Sequence, residues 1–74
     1  MKNNIKELRA SIAISQSDLA KSLNVSRQTI NSIENGKFDP SLTLALKLIK
    51  YFNKPLDSIF KYEYSLYLNL FFLF

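Results

Sequence analysis

Cysteine, histidine and tryptophan are absent from this chain, and it has one glycine and two prolines. Without cysteine no disulfide can brace the fold, and without cysteine and histidine the usual zinc ligand sets cannot be assembled. The same absences exclude a Ser-His or Cys-His nucleophile. A lone Gly36 leaves no glycine-rich loop to cradle a phosphate. The six acidic residues, Glu7, Asp18, Glu34, Asp39, Asp57 and Glu63, are scattered, whereas a hard-metal site gathers its carboxylates. Neither catalysis nor a metal, a cofactor or a small-molecule substrate is expected.

What is present is short and basic. A chain of 74 residues has room for one domain. A domain of that size buries only about 60% of the surface its unfolded chain exposes. With disulfides and zinc excluded, association with a second copy is the remaining common supplement. Ten Lys and Arg against six acidic residues give a formal charge of +4, with the cations spread from Lys2 to Lys61. Such a balance points to a polyanionic partner, nucleic acid or an anionic membrane surface. The segment Met1–Ser11 has no apolar run of the kind a secretory leader carries. The apolar end, Tyr64–Phe74, is about half as long as the roughly twenty residues that span a bilayer. A cytoplasmic protein with no membrane partner is expected.

Along the chain, apolar spacing and turn chemistry divide the sequence into five short helices. Ile5, Leu8 and Ile12 form one face of a first helix, capped by Asn3 or Asn4 and ending near Ala13-Ile14. Ser15 with Asp18 three residues later is a capping box in its Asp variant, opening a second helix that carries Leu19, Ala20 and Leu23. Asn24 suits the left-handed conformation that ends it. Val25 returns to the core, Ser26 caps a third helix with Ile30 and Ile33 inward, and Asn35-Gly36 stops it. Pro40-Ser41 begins a fourth helix whose stripe reads Leu42, Ala45, Leu46 and Ile49, widened by Leu44 and Leu48, with Asn53 as its stop. Pro55 begins a fifth, with Leu56, Ile59 and Phe60 packing back.

The second and third helices, joined by a short turn, form the pair that places a helix in the major groove of DNA. Ala20 is small where the two helices approach, while Val25, Ile30 and Ile33 seat the third on the second. Ser26, Arg27, Gln28, Asn31 and Ser32 are left outside, and these side chains have the donors and acceptors that base edges require.

These segments resemble a family. Ile5–Arg9, Ser15–Ala20, Val25–Ile30, Ile33–Lys37, Pro40–Leu42 and Leu56–Phe60 follow one another as in the Cro/repressor-type (XRE-family) helix-turn-helix domain of bacteria and their phages. The likeness runs from Ile5 to about Tyr62 and is closest to short stand-alone transcriptional regulators without a sensor domain. It implies an all-α, five-helix lambda-repressor-like DNA-binding domain over residues 1–62; the apolar tail that follows, 63–74, departs from the family pattern and by composition reads as an extended segment beginning near Phe60. It also implies roles at numbered positions. Gln16 would bind a phosphate through its amide and the helix N-terminus. Ser26, Arg27, Gln28, Asn31 and Ser32 would face the groove, with Arg27 on guanine and Gln28 on adenine. Asn35 and Lys37 would hold the DNA backbone, and Arg9 and Glu34 would form a partly buried structural ion pair. Where the family favours glycine in the turn, this chain has Asn24, which tolerates positive φ at modest cost.

The tail is a sharp change in composition. Its Tyr and Phe favour strand, and an apolar strand edge aggregates unless it is paired. Pairing with a twin across a two-fold axis would build a homodimer; the alternatives are docking on the parent domain or on another protein, and a disordered, membrane-seeking or non-adaptive extension. The expected function is sequence-specific binding of double-stranded DNA as a homodimeric repressor on a roughly palindromic operator. The competing expectation is an antitoxin-like or adaptor module whose apolar tail engages a partner protein.

Overall fold

The computed structural model of the chain describes residues 1–62. The expected apolar tail, residues 63–74, lies outside the described residues. Five helices are arranged as α1 (Ile5–Ser11), α2 (Gln16–Leu23), α3 (Arg27–Glu34), α4 (Leu42–Phe52) and α5 (Leu56–Ile59). A two-residue antiparallel ladder that sequence patterning did not signal joins β1 (Lys2–Asn3) to β2 (Phe60–Lys61), with Asn3 opposite Phe60. It draws the first described residues against the last ones. The N–H of Asn4 extends the closure by donating to the Ile59 carbonyl at 2.8 Å.

Local chemistry starts and stops most of these helices. The Ser15 hydroxyl accepts from the Asp18 N–H while the Asp18 carboxylate accepts from the Ser15 N–H, which closes the capping box. Ser26 and Ser41 cap α3 and α4 by accepting from the N–H groups of Thr29 and Leu44. Asn24 and Asn53 end α2 and α4 in the left-handed region at φ 57° and 53°. The Lys47 ammonium also donates to the Leu23 carbonyl at 3.1 Å, which satisfies the end of α2 from α4. Gly36, at φ 71°, turns the chain after α3, where a side chain would be strained.

Of the two asparagines expected to cap the first helix, Asn3 takes the part and Asn4 does not. Asn4 occupies its cap position without a side-chain cap, because its amide donates instead to the Ser58 carbonyl. The neighbouring Asn3 carboxamide oxygen accepts from the Ile5 N–H, and its nitrogen donates to the Ile33 carbonyl at 2.8 Å. Helix α1 stops at Ser11, short of Ala13-Ile14, and Ile12 lies outside the core, 50% exposed. Ala13 then adopts φ 55°, a left-handed turn made by a residue with a Cβ.

Ile5, Leu19, Leu23, Ile30, Ile33, Leu48 and Ile59 form the centre of the core, with Ala20, Leu44 and Phe60 completing it. Leu8, Ile14, Val25, Ile49 and Phe52 pack around them. The stripe expected on α4 is rotated. Leu44 and Leu48 face inward, whereas Leu42 is 76% and Leu46 56% exposed. Because α4 is apolar at Leu42, Leu44, Ala45, Leu46, Leu48 and Ile49, two stripes fit the helical period equally well. Packing against α2 selects the phase. Leu56, expected to pack back, is also half exposed, because the single turn of α5 turns Ile59 inward. Pro40 precedes the Ser41 cap and so stands two residues before the first turn it was expected to open.

Two outcomes follow. Replacing Ala13 with Gly releases left-handed strain of about 1–2 kcal/mol and gives back about 0.4–1 kcal/mol in unfolded-state entropy, so chemical denaturation should show a net gain of roughly 0.5 kcal/mol. The backbone and hydroxyl hydrogen bonds from Ser15, helped by Lys21, hold the Asp18 carboxyl below its ordinary 3.8 against the effect of burial. Its folded-state pKa is depressed, so the stability it contributes is present above 3.8 and is lost as pH falls through the lower folded value. Acid titrations followed by circular dichroism should show a shallower loss of stability in Asp18→Asn than in the wild type.

Candidate nucleic-acid interface

Helices α2 and α3 present two different surfaces. Their inner faces carry Leu19, Ala20, Ile30 and Ile33 into the core. On the outer face of α3, Arg27, Gln28 and Asn31 are exposed. Ser32 is half-buried at the edge of that face, deeper than its expected place, because the neighbouring Ile33 is turned into the core. Asn35 and Lys37 are exposed beyond the end of α3, and the loop that carries them is fixed to it. The Asn35 N–H donates to the Asn31 carbonyl at 3.1 Å and the Lys37 N–H to the Ser32 carbonyl at 2.9 Å.

Ser26 is exposed but committed locally. Its hydroxyl accepts from the Thr29 N–H at 3.0 Å and lies 2.8 Å from the Thr29 hydroxyl. Its main service is therefore to start α3 in a fixed orientation, which leaves it less capacity for a ligand than its position alone suggests.

Behind this face lies a charged network. Arg9 and Glu34 meet side by side, with Nε donating to Oε2 at 2.6 Å and Nη2 donating to Oε1 at 3.1 Å. Both side chains are largely shielded, and the third arm of the guanidinium, Nη1, donates to the Ile14 carbonyl at 3.0 Å. The pair thus ties α1 to the end of α3 and to the segment leading into α2. The hydrogen bond to Glu34 holds the Arg9 pKa above its ordinary value, against the opposing effect of burial.

Gln16, the first residue of α2, extends this network outward. Its amide nitrogen donates to Glu34 Oε1 and to Asn31 Oδ1, both at 3.1 Å. The two N–H groups on that nitrogen are therefore engaged within the protein. A phosphate contact through the side-chain amide, as expected, would have to replace one of these two bonds. What α2 offers an anion at this end is the backbone N–H groups of Gln16 and Ser17, since that of Asp18 donates to the Ser15 cap.

The structure brings Arg9, Gln16, Asn31 and Glu34 together and sets Arg27, Gln28, Asn35 and Lys37 on the solvent side. Sequence reading missed the Gln16–Asn31 and Gln16–Glu34 links, because separations of 15 and 18 residues across two helices carry no periodic signal. It also missed Asn3, whose amide closes the end of α3 at Ile33.

Residues 5–59 match the helix-turn-helix family. The chain is 56% identical over 63 residues to an HTH-type transcriptional regulator of Methanocaldococcus jannaschii, covering 85% of this chain and 96% of that protein. It is 46% identical over 63 residues to one of Bacillus subtilis, with the same two coverages. A third such regulator, from Archaeoglobus fulgidus, is 43% identical over 63 residues, 85% of this chain and 89% of its own length. The five-helix arrangement is the lambda-repressor-like fold.

Removing one partner of the Arg9–Glu34 pair strands a shielded charge. Arg9→Ala should lower unfolding free energy by about 3–5 kcal/mol in urea at neutral pH. The double replacement Arg9→Met with Glu34→Leu should recover most of that loss. An Arg9→Ala protein within about 1 kcal/mol of the wild type would show that the pair is structurally idle.

Proposed function

This chain belongs to the helix-turn-helix family of non-enzymatic DNA-binding transcriptional regulators, and from that premise we propose that it represses transcription as a homodimer. The observation that carries the reading is the outer face of α3, where Arg27, Gln28 and Asn31 stand exposed on a helix anchored from behind by Glu34 and Ile33. In this reading α3 lies in the major groove, with Arg27 on guanine and Gln28 on adenine, each pairing separating bases by about 1–3 kcal/mol. Asn35 and Lys37 flank it on the DNA backbone. Ser26 and Ser32 take part from the rim, and the backbone N–H groups at Gln16 receive a phosphate.

Repression is the mode this surface supports with least added machinery, since occupying a promoter blocks it without any further contact. The operator is roughly palindromic, with half-sites about 34 Å apart, so that two copies dock on one face of the duplex. Such a protein works in the cytoplasm, where the DNA is. Among the described residues no helix is long and apolar enough to cross a membrane.

The dimer reading rests on an apolar groove of about 680 Å³ between α4 and α5, lined by Met1, Leu42, Ala45, Leu56, Phe60 and Tyr62. Exposed leucines beside a groove mark an association surface in so small a domain. Tyr62, at the rim, leads into the apolar segment 63–74, and we assign groove and segment together to the contact between copies. The second reading, an adaptor whose segment 63–74 engages a different protein, is favoured by that segment's composition alone.

Three comparisons test these assignments. Arg27→Ala should relax preference at one base position, by roughly 5- to 150-fold in competition binding. Lys37→Ala should weaken all duplexes alike and flatten the salt dependence by about one unit of slope. Equal effects of both variants on operator and random DNA would refute the division of roles. Leu42→Glu, or removal of residues 64–74, should convert a dimer into a monomer by light scattering. A truncated protein that remains a DNA-binding dimer would transfer the segment to the adaptor reading.

A further inference from the structure

We propose that Asn31 reads DNA as a donor only, held with its amide nitrogen outward by a relay of hydrogen bonds that begins at Arg9. The inference rests on the reading that α3 enters the major groove. It adds which chemical edge Asn31 recognises and assigns Gln16 the role of positioning it.

The polarity of the relay is fixed by chemistry at every step. Arg9 has only donors, so the Glu34 carboxylate faces it as acceptor, at 2.6 Å and 3.1 Å. An ionised carboxylate can only accept, so the Gln16 atom 3.1 Å from Glu34 Oε1 must be the amide nitrogen. That same nitrogen lies 3.1 Å from Asn31, which must answer with its oxygen. The carboxamide of Asn31 is thereby oriented, with Oδ1 turned back to α2 and Nδ2 left on the exposed side of α3. An unconstrained asparagine can turn both atoms to adenine and pair bidentately with N7 and N6. In Asn31 the oxygen is turned to Gln16, so the atom it presents to the groove is its amide nitrogen. Two outward N–H groups fit acceptors, and guanine presents two side by side, O6 and N7, thymine presents O4, and adenine presents N7 alone beside a donor. Cytosine offers them only its N4 amine, donor to donor, and adenine can take one of them at N7 while its N6 amine, which needs an acceptor, is left without one. One position in each half-site should therefore prefer guanine or thymine to adenine and reject cytosine.

Gln16 is a positioning residue here. Replacing it with Met keeps its length, leaves the Ser15 cap in place and removes the donor that holds Asn31. The experiment is selection of duplexes from a random library by the full chain, alongside Asn31→Ala, Gln16→Met and, should the Met variant not fold, Gln16→Ala. Asn31→Ala should flatten one position, and at that position the wild type should enrich guanine or thymine by on the order of tenfold. Gln16→Met should move that same position towards adenine while leaving the positions governed by Arg27 and Gln28 as they were. Adenine at that position in the wild type, no position flattened by Asn31→Ala, or an unchanged Gln16→Met profile would overturn the inference and leave the groove reading intact. A wild-type protein that enriches no sequence would overturn both. In the free protein, NMR should show the side-chain amide protons of Gln16 exchanging more slowly than those of Asn31; equal rates would also count against the relay.

Discussion

The contact between Arg9 and Glu34 is the constraint on which the rest of the arrangement depends. It joins residues 25 apart in sequence through two parallel hydrogen bonds, and the third arm of Arg9 reaches the carbonyl just before α2. One guanidinium therefore fixes the end of α3 and the approach to α2 relative to α1. Arginine suits the place because its planar fork matches a carboxylate side by side and still has a donor to spare. A lysine there would supply charge without that geometry. The pair stands at the edge of the core, where shielding strengthens attraction and also makes an unpartnered charge expensive.

The apolar core supplies most of the folding free energy, and the hydrogen-bonding residues decide its direction. Six side chains fully withdrawn from water, Ile5, Leu19, Ile30, Ile33, Leu48 and Ile59, come from five elements. Burying each contributes about 1.5–3 kcal/mol against the cost of ordering the chain. Apolar contacts are non-directional, so they do not by themselves determine which face of α3 meets solvent. Ser26 does that at its start, and Glu34, Asn3 and Gly36 do it at its end. The outcome is a rigid platform whose outer face bears the polar side chains suited to base edges.

Features with a local cause were legible in the sequence. The capping box of Ser15 and Asp18, the left-handed stop at Asn24, the stop at Asn53 and the cap at Ser26 each depend on a few neighbouring residues, and each is present. Features decided by distant packing were not legible. The phase of α4 was ambiguous because its apolar residues cover most of its circumference, so Leu42 and Leu46 were placed inside. The β1–β2 ladder has two residues a side, too few to show alternation. Asn3 was read as a cap for α1, and it serves α3 as well. At the interface, the exposed face of α3 was anticipated from helical spacing, whereas the engagement of Gln16 with Asn31 and Glu34 needed coordinates in space.

A platform whose anchoring bonds are already made in the free protein is pre-organised for the groove contact proposed for it. The most direct test is an NMR titration of the full chain with a duplex selected for tight binding, following backbone amides. Shifts concentrated at Gln16–Ser17 and along Arg27–Lys37, with the α4–α5 surface around Leu42 and Leu56 unmoved, are the predicted result. Shifts concentrated on that α4–α5 surface, with Arg27, Gln28 and Asn31 unaffected, would contradict it.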